Sequence, residues 1–546
     1  MRRLIPGLAL LVAMALPAIA SGHAERPSYF PNFNTETQEF EPITGEVPTY
    51  RSRGPSRVVC DGGRKATAER IREVFKGSSR RTRRLRDKRL AINRRCRHKT
   101  IQSAVNAADS GDRILIMPGT YREAPSREEP EPDPACNELY VESENGTRVA
   151  SYEYQRACPN AQNLIAVIGD GPDADRACDD RCSLQIEGLG LEPADVFIEG
   201  ERAKLNVIRA DRADGIYLKN FEVEKSDFNN IYVLETNGFR IDEVVSHDSR
   251  EYGVLSFASD NGLYENIEAY RNGDSGIYPG SGPEGHCERY GIEIRNSDSH
   301  DNAIGYSGTA GNGVWAHDNK FHHNSAGITT DSFASGHPGM PQDCAKWENN
   351  EIYSNNKDLY NAEMDAYCKR PVEERDDPEK VCPTFQTPVG TGILIAGGNG
   401  NIARGNHIYD NWRNGIMLLY VPALLRGSDS TGQSENDSGN QFDTSHGNSF
   451  ADNRMGTRPD GTRDPNGLDF WWDEEGAGNC WGANEGAGGG EIESDPASLP
   501  ACPEGSAFST GNPVKSASQA TCATWNPVDN TDPPGCDWFT QPPEPE

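Results

Sequence analysis

Asp331 is the acid in this 546-residue chain best placed to do chemistry. It lies two residues beyond Thr329, so along an extended strand both side chains leave the same face. The stretch that follows, DSFASGHPGMPQDCAKWE, adds His337, Asp343, Lys346 and Glu348. Groups of these types carry carbohydrate chemistry: a carboxylate pair hydrolyses a glycosidic bond, and a base beside a neutralised uronate eliminates one. The catalytic candidates are Asp331, His337 and Asp343, although no spacing among them fixes an acid–base pair.

A second series could hold a sugar. Gly followed by an aliphatic residue recurs at Gly215-Ile216, Gly253-Val254, Gly276-Ile277, Gly327-Ile328, Gly392-Ile393 and Gly415-Ile416. With each aliphatic side chain inward, its neighbour points out: Tyr217, Tyr232, Leu255, Tyr278, Ser307, Thr329, Leu394 and Met417. Tyr217, Tyr232 and Tyr278 could stack on sugar rings, and with Thr329 they are the substrate-binding candidates. The same row also reads as a ladder that only stabilises a parallel sheet.

The elements that must position these residues follow from the spacing. Gly253 to Gly276 is 23 residues and Gly392 to Gly415 is 23, so one unit is about 22 or 23 residues where nothing intervenes. A fixed period of that length means a solenoid. Apolar residues come in pairs two apart, such as Ile216/Leu218, Phe221/Val223 and Ile393/Ile395, which is strand periodicity. Turns ending in Asn recur at NKFHHN, NEIYSN, NHIYDN and NSFADN. Stacked turns would let those amides hydrogen-bond up the axis as a ladder. Two or three strands per unit, separated by Asn, Asp and Gly turns, describe a parallel β-helix.

The repeat resembles the right-handed parallel β-helix proteins of the pectate lyase and pectin methylesterase type. The stretch KTIQSAVNAADSGDRILIMPGTYRE, Lys99 to Glu123, is similar to the segment that opens many of them, a capping helix followed by a first strand. Ile101, Ala104, Val105 and Ala108 share one helical face there, and Ile114 and Ile116 one strand face. The resemblance spans roughly residues 99–485. It implies an all-β, right-handed parallel β-helix and a carbohydrate partner, either a polysaccharide or an envelope glycan. It does not name an activity, because the scaffold hosts lyases, hydrolases, esterases, epimerases and binding proteins. Pectate lyases hold calcium between Asp residues beside an Arg or Lys base. No such set matches here position by position, so Ca2+ is the one cofactor in view and metal ligands are unassigned. The Asp-Pro-His-Asp motif of alginate epimerases and the paired Asp and Gly-His-Gly motifs of polygalacturonases are absent.

Residues 1–20 carry Arg2 and Arg3, an apolar run and Ala18-Ile19-Ala20, the pattern of a secretory signal. No later stretch is long and apolar enough to span a membrane. Fourteen cysteines, an even number in an exported chain, imply disulfides. The neighbours Cys60/Cys96, Cys136/Cys158, Cys368/Cys382 and Cys522/Cys536 would each staple an insertion, while Cys178 and Cys182 in CDDRC have no partner set for zinc. Residues 21–98 are expected to form a disordered lead-in and an Arg-rich segment, and 486–546 an irregular appendage. From Arg51 to Lys99 there are 19 Arg and Lys against four acids, in a chain whose net charge is −30. The run RRTRRLRDKR, Arg80 to Arg89, has no interleaved aromatics, so nucleic acid is not the expected partner. An anionic envelope polymer, the protein's own acidic surface or a solvated loop remain.

Long insertions flank the Gly-aliphatic strands: 278–290, 331–345, 356–389 and 419–447. Such loops would wall a groove along one face with Asp331 on its floor. Two functions fit: a secreted monomer that cleaves or modifies a polysaccharide, like a lyase or glycoside hydrolase, or a non-catalytic glycan binder. The pairs His247-Asp248, His300-Asp301, His317-Asp318 and His322-His323 read as repeated turn positions rather than metal ligands. Trp471, Trp472 and Trp481 form either a sugar platform or a plug for the last coil. Substantial helices are expected only before Asp112. Protein from its native compartment should begin after Ala20, or after Ala24, and show no free thiol by mass after alkylation. Several alkylatable thiols would instead indicate folding in a reducing compartment.

Overall fold

The computed structural model describes residues 26–129, 134–143, 146–169, 178–333, 336–360, 362–371, 374–377, 379–384, 386–426, 429, 431–434, 437–522 and 536–546. The signal segment lies outside them. One coil shows how the chain winds. Strand Asn229–Leu234 runs along one side, and strand Asn237–His247 then bends at Glu243 to line the other two. The corners are Glu235, Glu243 and Asp248, at φ of 47°, 54° and 54°. A left-handed residue at each corner turns the strand direction sharply, and Asn or Asp at equivalent corners (Asn220, Asn266, Asn296, Asp318, Asn349) tolerates it best. The recurring His-Asp pairs are such corners, since Asp248, Asp301 and Asp318 all have positive φ.

Stacking these coils gives the expected parallel β-helix. One side is an eleven-stranded parallel sheet from Asn163–Ile168 to Ser494–Asp495, hereafter the floor sheet. The other two sides make up a twenty-stranded sheet. Register in the floor sheet confirms the period: Val254 sits on Ile277, Ile304 on Ala326 and Ile393 on Ile416. Ile208, Ile231, Val254, Ile277, Tyr306, Ile328, Ile393, Ile416 and Phe470 form one inward column, all essentially buried. Trp472 and Trp481, ring centroids 5.2 Å apart, close the core at the last coils beside Phe450 and Phe470. These two are a plug, and Trp471 is not part of it.

Two asparagine columns fix the stack. Asn272, Asn302, Asn324, Asn355, Asn411 and Asn466 pass hydrogen bonds amide to amide along one edge of the floor sheet. Asn319, Asn350, Asn406, Asn453 and Asn484 do the same at another corner. Each amide also serves the backbone: Asn355 Nδ2 donates to the Phe321 carbonyl, and its Oδ1 accepts from the Asn324 N–H. The glycines lie against the first column. A Cβ on Gly327 would come 2.7 Å from the Gly392 carbonyl oxygen and 2.8 Å from Asn355 Nδ2, and Gly253, Gly276, Gly305 and Gly392 are as tight. Close approach, not φ, requires glycine there.

The ends depart from expectation. Residues 26–98 are structured: a hairpin pairs Phe33–Asn34 with Glu39–Phe40, and strand Ser56–Val59 extends the twenty-stranded sheet by pairing with Arg113–Ile116. Helices α1 (Gly63–Val74) and α2 (Arg80–Asn93) follow, then α3 (Ile101–Asn106), which packs on the first strands. The lead-in orders because its scattered apolar residues find apolar neighbours on the solenoid, Phe30 and Phe33 on one patch and Ile71 and Phe75 on another. A further helix lies late in the chain, at Pro513–Cys522. All fourteen cysteines are paired, including the four neighbour pairs expected, with Cys178–Cys182, Cys287–Cys344 and Cys480–Cys502 completing the set.

Asn355→Ala should lower stability by about 1–3 kcal/mol, because it strands a buried N–H of Asn324 and the Phe321 carbonyl. Gly327→Ala should cost at least as much through its clash, and denaturant midpoints of both variants read the effect. Wild-type midpoints in either variant would mean that the ladder does not hold the coils.

Candidate functional site

Outward side chains of the floor sheet form two parallel columns. One runs Arg209, Tyr232, Leu255, Tyr278 and, further along, Ser307, Thr329, Leu394, Met417, Trp471 and Asp495. The other includes Leu234 and Phe257, then Thr309, Asp331, Ala396 and Leu419. The expected row of outward residues is therefore real, with one correction. Tyr217 belongs to the twenty-stranded sheet, where it pairs with Arg240 and donates its hydroxyl to Asp242 at 2.7 Å. Gly215 before it has φ 74°, so it marks a left-handed corner, and it lies against Ser183 and not against the asparagine column.

The floor is covered over half its length. Phe30 and Phe33 pack on Tyr232, Leu234, Tyr252, Leu255, Phe257 and Tyr278. This strap is anchored by charge: the Arg26 guanidinium binds Asp211 at 2.9 Å and Glu235 at 3.1 Å, with all three side chains buried. The carbonyl of Ser28 and the N–H of Phe30 bond to the Gln433 amide, which ties the strap to the 419–447 insertion. Tyr232, Tyr278 and Thr329 are 0%, 2% and 3% exposed, so in this state none is open to a polymer.

Beneath and beside the strap lies a buried polar cluster. Asp331 accepts from Thr309 Oγ1 at 2.7 Å and from the Phe333 N–H at 3.0 Å. Tyr278, which feels the charge of Asp331, reaches on to His337, whose Nε2 lies 3.3 Å from the Tyr278 hydroxyl and whose ring meets Phe257 edge-on. Burial raises the Asp331 carboxyl despite those two donors. Burial, aided by the negative field of Asp331, pushes Asp274 up to about 7. Glu251 is raised well above the carboxylate range by burial and by Asp274, and accepts from Thr384 Oγ1 at 2.6 Å. Carboxyls raised in this way beside a tyrosine hold their protons more tightly than free ones and can deliver them, which is what acid catalysis needs.

The remaining candidates lie elsewhere. Asp343 sits at the bridge to Asn399 beside the Cys287–Cys344 disulfide, its carboxyl raised to about 6 by burial and its N–H donating to Asn312 Oδ1 at 2.7 Å. Lys346 and Glu348 pair with each other at 2.7 Å on the twenty-stranded sheet, with Lys346 over the Trp315 ring. The structure thus joins Asp331, His337, Tyr278 and Thr329 on one face and separates Asp343 and Tyr217 from them.

The open part of the same face is at the last coils. A cleft of about 540 Å³ is lined by Trp412, Trp471 and Trp538, with Arg413, Lys515 and Asp495 among its polar groups. All three indoles are partly exposed. Lys515 stands over the Trp471 ring at 5.1 Å and pairs with Asp495 at 2.8 Å, while Arg413 pairs with Asp537 at 3.4 Å. Trp471 is the outward neighbour of the plug residue Trp472, and its alternation along the strand separates the two roles. Trp538 comes from the C-terminal segment, which has no repeat to announce it.

Neither candidate ligand cluster among the described residues fits calcium. Among the described residues, two groups bring three potential ligand atoms together: Cys287, Asp343 and Cys344, and Glu224, His247 and Asp248. In the first, both sulfurs are joined in a disulfide. In the second, burial opposes charge on His247, but hydrogen bonds to Asp248 and Glu222 raise it to about 9, so the ring is a cation with both nitrogens engaged. A hard cation needs six or more oxygens, and neither set supplies them.

Residues 197–337 match the family described as right handed beta helix region. The solenoid is thus a right-handed parallel β-helix. No curated protein sequence matches the chain. Solved structures with a similar coil include the A-module of mannuronan C-5 epimerase AlgE4 of Azotobacter vinelandii (11% identity, 76% of this chain and 95% of that one, TM-score 0.39). Others are pectate lyase Pel9A (13%, 81% and 84%, 0.32) and DFA-IIIase of Arthrobacter chlorophenolicus A6 (11%, 68% and 78%, 0.34).

The buried carboxyls make stability depend on pH in a stated direction. A carboxyl raised in the fold binds its proton more tightly folded than unfolded, so its contribution is full below the unfolded value near 4 and is lost as pH rises through about 7 for Asp274. Asp274→Asn should flatten that decline and stabilise the protein at pH 8 relative to wild type, by at most about 4 kcal/mol. Denaturant midpoints at pH 4.5 and pH 8 test it, and an unchanged pH slope would contradict it.

Proposed function

We propose that this chain is an exported β-helix protein that binds a polysaccharide in the tryptophan-lined cleft of its last coils. The observation that carries the reading is the grouping of Trp412, Trp471 and Trp538 around one open depression on the floor face. Indole faces take the C–H face of a pyranose, and each such contact is worth about 1 kcal/mol. Paired cysteines throughout suit an oxidising compartment, where extracellular or envelope glycans are met. No described helix is long and apolar enough to cross a membrane.

Binding without turnover is favoured because two of the three acids that line the cleft, Asp495 and Asp537, are held by Lys515 and Arg413, which leaves Glu544 without a second carboxylate to complete an acid pair. One observation supports a second reading, a polysaccharide-modifying enzyme: Asp331 and Asp274 are raised beside the Tyr278–His337 contact. Turnover there requires the strap to lift. Asp331 would then act as proton donor or base, with His337 as its partner and Tyr278, Tyr232 and Thr329 against the sugar. Asp343 and Tyr217 have no part in either reading.

Affinity electrophoresis against neutral and uronic polysaccharides, with and without calcium, separates the two. Binding predicts retention on at least one glycan and no product. Trp471→Ala and Trp538→Ala should each weaken retention about fivefold. Turnover predicts reducing ends or unsaturated uronide, and Asp331→Asn should slow it by a factor on the order of 10² with retention intact. A broad panel with neither retention nor product would end both readings.

A further inference from the structure

Helices α1 and α2 form a hairpin at the N-terminal end of the solenoid. We infer that its outer face is a docking surface for an acidic polysaccharide, separate from the tryptophan cleft and independent of what that cleft binds. The charge is concentrated. Residues 51–99 carry 19 cations against four acids, a net +15 in a chain of −30, which leaves −45 for everything else.

Helical geometry sorts these residues by face. Leu85, Leu90 and Ile92 of α2 turn inward onto a cluster containing Ile71, Phe75, Leu115, Met117 and Leu189. Arg89 is drawn in with them, and its Nε donates to the Leu189 carbonyl at 3.0 Å. The opposite face carries Arg80, Arg81, Arg83, Arg84 and Lys88, all exposed. Residues 80, 84 and 88 are one turn apart, which sets a cation about every 6 Å along the helix. The face is held rigidly: Cys60–Cys96 closes the hairpin, and Asn93 Nδ2 donates to the Arg64 carbonyl at 2.8 Å.

On the solenoid wall, by contrast, Lys219 is neutralised by Asp242, Arg295 by Glu265 and Arg404 by Asp452. On α2, among the described residues, no carboxylate pairs with Arg80, Arg81, Arg83, Arg84 or Lys88, and the one acid of the helix, Asp87, is 3.8 Å from Arg86. Five unpaired cations in a stripe cost self-repulsion, which a polyanion laid along them relieves. The stripe suits a linear polymer, because its regular cations lie on a convex helix and not in a pocket.

The chemistry of the polymer follows from what the face lacks. Without aromatic side chains it has no platform for bases, so a single-stranded nucleic acid gains only charge contacts. Its apolar side is buried against the solenoid, so it cannot insert into a bilayer as an amphipathic helix does. Seven disulfides indicate an oxidising compartment, away from the anionic cytoplasmic leaflet. A polymer of uronate or sulfated sugars supplies regular anions there.

The test uses the full chain and an R80Q/R84Q/K88Q variant, whose folding is checked by its melting transition. The probes are polygalacturonate, neutral dextran, duplex DNA and vesicles containing phosphatidylserine, each titrated over a range of salt. The expected result is binding to polygalacturonate that falls steeply with salt, no binding to dextran through this face, and about tenfold weaker polygalacturonate binding by the variant. The tenfold loss should reappear when R80Q/R84Q/K88Q is made on a W471A background, which separates this surface from the cleft; loss in W471A with the triple variant at wild-type affinity would assign the polymer to the cleft and overturn the inference. So would equal affinity of variant and wild type, or tighter binding to DNA or vesicles than to polygalacturonate at the same salt.

Discussion

Everything in this molecule depends on coils stacking in register, and the register is enforced where the asparagine column meets the glycine column. An amide passes its hydrogen bond to the amide of the next coil only if the two turns superpose, and the turns superpose only if the adjoining strand comes close enough to forbid a Cβ. The two conditions select the same spacing. Insertions as long as 356–389 can then leave one coil and return to the next without shifting any column, as the pairing of Ile328 with Ile393 shows. Loops become free to vary because the frame is not.

That frame explains how one face comes to have two ends of different character. Outward residues at equivalent positions line up whatever their type, so a column can run from Arg209 through tyrosines and threonine to Trp471. Near its start, a buried net charge forms from Arg26, Arg209 and Arg212 around Asp211 and Glu235. Removing one partner of such a network leaves the others buried and unpaired, which makes the strap's position specific more than it makes it stable. Near its end no strap reaches, and the tail 536–546 instead raises Trp538 beside Trp471.

The sequence made the coil legible because its signals are local and repeated: inward aliphatics two apart, Asn in each turn, cysteines close to their partners. Tyr217 was misread for a physical reason. Gly-Ile at 215–216 looks like Gly-Val at 253–254, but the first glycine sits at a left-handed corner against Ser183 and the second lies against the asparagine column. Burial of Tyr232 and Tyr278 was not legible at all, since Phe30 and Phe33 cover them from about 200 positions away without any periodicity. Asp331 stands on the outward face as strand alternation requires, but Asp274, which feels its charge, and Glu251, which feels that of Asp274, come from preceding turns, and only the stacked structure links them. The three indoles of the cleft come from a turn, a strand and the C-terminal tail, which no spacing rule links.

The central claim is that a glycan meets the floor face at its last coils and not under the strap. Hydrogen–deuterium exchange with and without a bound oligosaccharide locates the contact directly. The expected result is new protection in 412–417, 468–471 and 536–545, with 229–234 and 275–280 unchanged. Protection confined to 229–234, 275–280 and 326–337, together with faster exchange in 26–40 as the strap lifts, would contradict it.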